Sequence, residues 1–544
     1  MSTPAVAVAG ATKRFGGAVA IDHADFAIPG RQLWCVVAPR GGGKTTLMRL
    51  IAGLLHPDEG TIRVFGSDTV QRTGSVQAHI GYAPHEPGIY EDLTVGENIE
   101  LHADLRAVPA DVLAARMADV LGLTGLGESR SKKAVVLARG EKRGLAIACA
   151  LVGSPRLLLL DEPTNGLDPG SRRTILRLLR HLVDQGTSVL WSTAIAGEAE
   201  TSDGILLLNE GRVLTAGRPD EFLARLLGRL RVVPVAPADR YNAARQLSGA
   251  PGVRAIDIRR TSLKLLMDTT KRSFPWPVAG QIRAATPRLE DAVLDNLSGG
   301  TATLPSLAAP LRPQESVTDA WPALKVVELT KVERGRRLVD AAELVVRGGE
   351  ITGLMGPNGS GKSLMLRLLS GISSPTRGTI AICGVDLMAD RYAAIRRLGY
   401  MGSADSPYPD LSPVQNLQFA ASARRLSRAR QNERVRQLLS EFGLAPVADT
   451  RSGTLRAALQ WRLALAAALV HEPGLLLVDE PASDLDPRTH RLFWTDLVAV
   501  AAQGVGVLVA SHMAEDADRC DRVVSIRHGQ VTAAGISPPG DGLE

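Results

Sequence analysis

Two short stretches of this sequence carry the residue types that hold a nucleotide's phosphates. At 41–46 the chain reads GGGKTT, after the apolar run LWCVVA and before TLMRLIAGLL, whose apolar residues recur at helical spacing. Strand, glycine loop and helix in that order form an anion site, because backbone N–H groups of the loop and the helix N-terminus point at the phosphate. Gly41 and Gly43 let the backbone approach, Lys44 brings a cation to the β- and γ-phosphates, the Thr45 hydroxyl suits Mg2+, and Thr46 completes the set. At 356–363 the chain reads GPNGSGKS, in which Gly356, Asn358, Gly359, Gly361, Lys362 and Ser363 occupy the full GxxxxGKS spacing. Hydrolysis also needs carboxylates, and two apolar runs end in a pair of them: LLLLDEP up to Pro163 and LLLVDEP up to Pro481. At the C-terminal edge of a buried strand, Asp161 and Asp479 suit Mg2+ ligands. Glu162 and Glu480 suit bases that polarise the attacking water. A plain strand-end turn with acidic caps would have to coincide with a glycine loop twice.

These motifs recur in one register. Lys362 follows Lys44, Pro481 follows Pro163 and Pro487 follows Pro169, each by 318 residues. Ordered motifs at one offset mean a duplicated domain. The first domain is expected over 1–225 and the second over 324–544. Between them, 226–300 alternates strand-like and helix-like pieces and reads as a small α/β extension of the first domain. The stretch 301–323 is rich in Pro, Ser, Thr and Ala and reads as a linker.

Composition narrows the function classes. The four cysteines are scattered with no CxxC pair, which argues against a disulfide framework or a zinc site and fits a reducing cytosol. The N-terminal residues lack the basic start and long apolar centre of a signal peptide. No apolar run approaches the roughly 18–20 residues of a membrane helix, so work at a membrane would go through a partner. The net charge of +6 is a weak bias, and no aromatics interleave with the Arg-rich stretch at 171–180, so no nucleic acid is expected.

The order of the motifs names a family. A glycine loop, then GYAPHEPGIYEDLTVGENI, then LARGEKRGLAIACALVGSPRLLLLDEPTNGLDP resembles the ABC ATPases, in the flavour of drug, antibiotic and polysaccharide export systems. TPRLEDAVLDNLSG resembles the tail common after such cassettes. The resemblance implies an α/β fold of two tandem P-loop NTPase domains. Each would carry a helical insert, over about 87–153 and 407–471, with a small α/β appendage between the domains. It implies ATP and Mg2+ as ligands, Phe15 stacking on adenine, and Glu480, His512 and Glu162 as catalytic residues. It further implies that the two domains pair within the chain, head to tail. Each ATP would then be shared by the P-loop of one and the signature loop of the other. The partners implied are separate membrane-spanning permease subunits, with the chain cytoplasmic and peripheral on the inner face of the membrane.

Several positions depart from the family pattern. The signature, normally close to LSGGQ, reads LARGE at 137–141 and LRAAL at 455–459. The Q-loop glutamine is replaced by His85 and Ser403, the switch histidine by Ala194 in the first copy, and the stacking aromatic by Glu333 in the second. The first P-loop has Ala38 for its first glycine and Arg40 for the usual asparagine. Site two, with Lys362, Asp479, Glu480 and His512, is therefore expected to be the better hydrolytic site, and site one a non-hydrolytic binder. Arg139 stands where a signature glycine belongs, and either blocks closure by its bulk or reaches a γ-phosphate in trans. The functional expectation is the ATP-hydrolysing subunit of an exporter. The alternatives are a scaffolding or regulatory pseudo-ATPase and a soluble tandem ABC protein of the ribosome- or repair-associated kind. The latter usually carries a highly charged helical linker, which the Pro/Ser-rich stretch here is not.

Overall fold

The computed structural model describes residues 3–16, 18–39, 41–268, 282–297, 322–357, 359–402, 407–480 and 487–533. Arg40, Asn358, Ser403, residues 481–486 and the 301–321 part of the expected linker lie outside the described residues.

Runs such as LLLL at 157–160 and LLLV at 475–478 are wholly apolar, so they are strands covered on both faces rather than on one. They sit inside two six-stranded sheets of the same order. In the first copy the order is Ile80–Ala83, Leu157–Leu160, Ser188–Thr193, Leu33–Val37, Gly204–Asn209, Arg212–Gly217. In the second it is Leu398–Met401, Leu475–Asp479, Gly506–Ser511, Ile351–Met355, Arg522–Arg527, Gln530–Ala533. The first five strands of each are parallel and the sixth is an antiparallel edge. Parallel strands align their C-terminal ends, so the glycine loop, the Asp-Glu pair and the switch position all emerge at one edge of each sheet.

Each copy adds a four-stranded antiparallel sheet, built on Val6–Phe15 and Ala18–Ile28 in the first and on Leu324–Glu333 and Arg336–Val346 in the second. Each also carries the helical insert. In the first copy this is Val95–Leu105, Ala110–Thr124 and Arg139–Leu151; in the second, Pro413–Ala423, Arg428–Glu441 and Ala457–Ala468. The first helix of each insert opens on a capping box, Thr94 with Glu97 and Ser412 with Gln415, which satisfies two N–H groups that the helix itself cannot. The 318-residue register holds through backbone detail. Left-handed φ values recur at Gly41 and Gly359, Gly43 and Gly361, Phe65 and Cys383, and Glu162 and Glu480.

The stretch between the copies contains a third sheet, ordered Val253–Ile258, Ser262–Met267, Leu230–Pro234, Arg283–Ala284, with the helix Arg240–Leu247. Expected as one extension of the first domain, this stretch is divided between two compact units: 228–286 groups with the second copy, and 287–297 with the first. The reason is hydrogen bonding. Arg240 pairs with Asp521 at 3.0 Å, Arg519 pairs with Asp257 at 3.0 Å, and the Arg260 N–H donates to Asp518 O at 2.9 Å. The helix Leu289–Leu297 instead donates from Leu289 N–H to Glu200 Oε1 of the first copy at 2.9 Å. Among the described residues no helix is long and apolar enough to cross a membrane.

One buried ion pair distinguishes the second copy. Arg462 Nε lies 3.1 Å from Asp496 Oδ2, where the first copy has Gly144 and Leu178. Burial pushes the Asp496 carboxyl up to about 7, against the pull of Arg462. A folded-state value above the unfolded one means that the folded chain holds a proton the unfolded chain releases. Stability is therefore lost as pH rises from the ordinary carboxylate range to about 7. Asp496→Asn keeps the shape and removes the titration. Between about pH 5 and about pH 7 the urea midpoint of the second unit should fall less in this variant than in the parent. An equal fall in both would assign the pH dependence to another group.

Candidate nucleotide sites

Both P-loop lysines are buried, and each ammonium is met by three oxygens. Lys44 Nζ donates to Ala38 O at 2.8 Å and Pro39 O at 3.0 Å, and pairs with Glu162 Oε1 at 2.9 Å. Lys362 Nζ donates to Gly356 O at 2.8 Å and Pro357 O at 3.0 Å, and pairs with Glu480 Oε1 at 2.9 Å. A buried cation without such partners would be costly, so these contacts fix the loop around the lysine. The helices Lys44–Ile51 and Lys362–Leu369 start directly from Gly43, at φ 102, and Gly361, at φ 108. Gly41 and Gly359 are also left-handed, and a Cβ on Gly356 would lie 2.4 Å from Ile526 O. Thr46 follows in the first helical turn.

The next two helix and strand residues meet as expected for a hard cation. Thr45 Oγ1 donates to Asp161 Oδ2 at 2.7 Å, and Ser363 Oγ to Asp479 Oδ1 at 3.2 Å. A hydroxyl beside one carboxylate, next to a phosphate loop, fits Mg2+, whose other ligands are phosphate oxygens and water. Bound there, Mg2+ would offset charge on the β- and γ-phosphates. Burial, with Glu480 adding to it, raises the Asp479 carboxyl above its ordinary value, although the Ser363 bond and Lys362 pull it down. The copies differ behind this carboxylate. Ser192 Oγ donates to Asp161 Oδ1 at 2.7 Å and accepts the Glu162 N–H at 3.0 Å. Position 510 is alanine, and there the Glu480 N–H goes to Ala510 O at 3.0 Å.

Glu162 and Glu480 have left-handed φ values of 50 and 45, a strained conformation that turns each side chain back over its loop. In the second copy His512 Nδ1 stands 3.8 Å from Glu480 Oε2. His512 and Lys362 together hold the Glu480 carboxyl down to about 2, overcoming its burial. In the first copy Glu162 Oε2 accepts from Asn165 Nδ2 at 3.2 Å and has His85 Nδ1 at 3.4 Å. The structure thus brings together Lys44, Thr45, Asp161 and Glu162, and separately Lys362, Ser363, Asp479, Glu480 and His512. Phe15 ends the strand Val6–Phe15, half exposed, with Lys13 Nζ 5.7 Å from its ring centroid. The Arg139 guanidinium lies over Gly166 of its own copy, where an added Cβ would come within 3.2 Å of Nη1.

Sequence reasoning missed a second row of buried groups. Glu198 accepts from Thr164 at 2.7 Å and Thr193 at 2.8 Å, and pairs with Arg172 at 2.9 Å. Asp516 accepts from Ser511 at 2.6 Å, His490 at 2.8 Å and Trp494 at 2.9 Å. These acids tie the helix after the Asp-Glu loop to the switch strand. The 318 offset pairs Arg172 with His490 and Thr193 with Ser511, a signal that was present in the sequence.

The ABC transporter family pattern matches residues 21–165 and 339–483. Over 543 residues, the chain is 36% identical to the Escherichia coli K12 protein named "Probable multidrug ABC transporter ATP-binding protein YbhF", across 98% of this chain and 94% of that protein. This chain belongs to the ABC transporter family, as an ATP-binding subunit. A shorter relative, the daunorubicin/doxorubicin resistance ATP-binding protein DrrA of Streptomyces peucetius, is 35% identical over 253 residues, 46% of this chain and 77% of its own. The Nod factor export ATP-binding protein I of Ralstonia nicotianae is 31% identical over 228 residues, 42% of this chain and 71% of its own. The two copies are therefore two ABC cassettes.

The two glycines at the helix starts differ in what surrounds them. A Cβ on Gly43 would meet Ala20 O at 2.7 Å, whereas on Gly361 its nearest neighbours are 3.5 Å away. Alanine at either position meets the left-handed backbone, costing on the order of 1–3 kcal/mol. Gly43→Ala adds the clash with a backbone oxygen. It should lower the thermal midpoint more than Gly361→Ala; equal losses would mean that the first loop relaxes freely.

Proposed function

We propose that this chain is the ATP-hydrolysing subunit of an exporter whose membrane-spanning part is a separate polypeptide. The observation that carries the reading is the duplicated cluster of lysine, glutamate, hydroxyl and aspartate at each P-loop. Its chemistry is that of Mg-ATP hydrolysis. The lysine and loop N–H groups hold the phosphates, Thr45 or Ser363 with Asp161 or Asp479 would hold Mg2+, and Glu162 or Glu480 faces the attacking water. Export is supported by the names of the relatives, and a separate permease by the lack of a membrane-length helix among the described residues. The chain would then sit on the inner face of the membrane, with its cassettes pairing head to tail around two nucleotides.

The second cassette is the principal hydrolytic one in this reading. It keeps the full glycine spacing and the switch histidine His512, whereas the first cassette has Ala194 at that position. Both signatures, LARGE and LRAAL, lack the serine that grips a γ-phosphate, so slow turnover is expected from the purified chain and faster turnover with its permease.

ATP hydrolysis by the parent and by three variants tests this. Glu480→Gln or Lys362→Ala should lower turnover about tenfold or more, and Glu162→Gln by a smaller factor. Equal losses from Glu162→Gln and Glu480→Gln would show that the second cassette is not the principal site. No ATP-dependent turnover in the parent, with or without a permease, would leave the chain as a nucleotide-binding scaffold.

A further inference from the structure

The first cassette has lost its switch histidine from the sequence position, yet an imidazole faces its glutamate. His85 follows the strand Ile80–Ala83, at the place where the family has the Q-loop glutamine. Its Nδ1 lies 3.4 Å from Glu162 Oε2. In the second cassette, His512 follows the strand Gly506–Ser511, and its Nδ1 lies 3.8 Å from Glu480 Oε2. The same ring atom faces the same carboxylate oxygen, and in both cassettes the other oxygen takes the lysine at 2.9 Å. The imidazole has the same relation to the glutamate but arrives from a different strand end.

His85 is also held there. Arg143, a buried residue of the signature helix Arg139–Leu151, donates from Nη1 to Pro84 O at 2.8 Å and from Nη2 to His85 O at 2.7 Å. A planar guanidinium bonded to two successive carbonyls fixes the backbone that presents the ring. The second cassette has Trp461 in place of Arg143 and Ser403 in place of His85. The clamp and the ring occur together in the first cassette, and neither residue type is present at the matching positions of the second.

We propose that His85 is a positioning residue for Glu162, doing in the first cassette what His512 does in the second. The proposal rests on reading both P-loops as ATP sites, and it gives the first cassette a slow hydrolysis of its own. The step served is attack of water on the γ-phosphorus. The new P–O bond forms, the bond to the bridging oxygen breaks with its electron pair leaving on ADP, and the proton of the water passes to Glu162. His85 keeps Glu162 Oε2 turned toward that water. Ala194, with only a methyl group, cannot.

The test uses the full chain carrying Glu480→Gln, so that remaining turnover comes from the first cassette. Binding of a fluorescent ATP analogue should show two sites per chain. Adding His85→Ala should lower kcat about tenfold, with KM within about twofold, because the lysine and loop still hold the phosphates. Adding Ala194→His to that variant should restore much of the loss, by returning an imidazole along the route the second cassette uses. His85→Gln, which restores the family residue, should not. Full turnover in His85→Gln would overturn the proposal, since the position would then serve as an ordinary Q-loop. So would turnover indifferent to His85→Ala, or failure of Ala194→His to rescue. Two bound nucleotides with no turnover in Glu480→Gln would overturn it while leaving the second cassette as the hydrolytic site. A single bound nucleotide would remove the reading of the first P-loop as an ATP site, and the proposal with it.

Discussion

The arrangement of each site follows from one buried ammonium. Lys44 and Lys362 are almost wholly enclosed, and a cation taken out of water must be met by oxygens in close range. Two of those oxygens are carbonyls of the loop itself, so the loop must curl around the lysine, and the left-handed glycines at its base make that curl possible. The third is the glutamate, which reaches back only because its own backbone is left-handed at the end of its strand. A triphosphate entering the loop would compete with that glutamate for the lysine. Loop, lysine and glutamate are therefore one electrostatic unit.

Around this shared unit the two cassettes have exchanged supporting groups without moving the frame. Asp161 has the Ser192 hydroxyl behind it, where the second cassette has Ala510. The deeper acid is Glu198 with Arg172 in one, and Asp516 with His490 and Trp494 in the other. The acid is shorter in the second cassette, and Trp494, where the first cassette has Leu176, adds a second donor beside His490. Such paired changes keep buried charges partnered.

Much of this was legible in the sequence because it rests on local pattern. The P-loops, the Asp-Glu strand ends and the 318 register need only glycine spacing and apolar runs, and the sheets follow them. What was not legible depends on contacts far apart in the chain. His85 read as a lost glutamine, because a motif compares a residue with its family counterpart and not with Glu162, 77 residues on, which it faces across the sheet edge. Arg143 carries no motif signal, yet it is buried with both carbonyl partners in another segment. Arg139 left two readings open, bulk that blocks closure or a contact with a γ-phosphate in trans, and its guanidinium lies beside Gly166 of its own cassette. The sequence identifies such side chains but not the direction in which they fold.

The module at 228–286 shows the same logic at the scale of a domain. In the first cassette Asp203 accepts the N–H of Leu33, at the start of the P-loop strand, at 2.8 Å, and is neutralised by Arg180 at 2.9 Å from the cassette's own helix Pro169–Asp184. In the second cassette Asp521 accepts the N–H of Ile351 at 2.8 Å in the same way, but the residue matching Arg180 is Val498. The cation comes instead from Arg240 of the module, at 3.0 Å, buried with only 4% of its side chain exposed. Nearby Arg519 is also buried, and it takes Asp257 of the module as its partner; burial pushes the Asp257 carboxyl up, but Arg519 and its neighbouring arginines hold it well below the ordinary range. A carboxylate that anchors the P-loop strand is thus partnered from outside the cassette's own repeat. Cutting the chain where the repeat begins would leave Asp521 without Arg240 and Arg519 without Asp257. In energetic terms the second cassette includes the module, even though in sequence the module precedes the repeat.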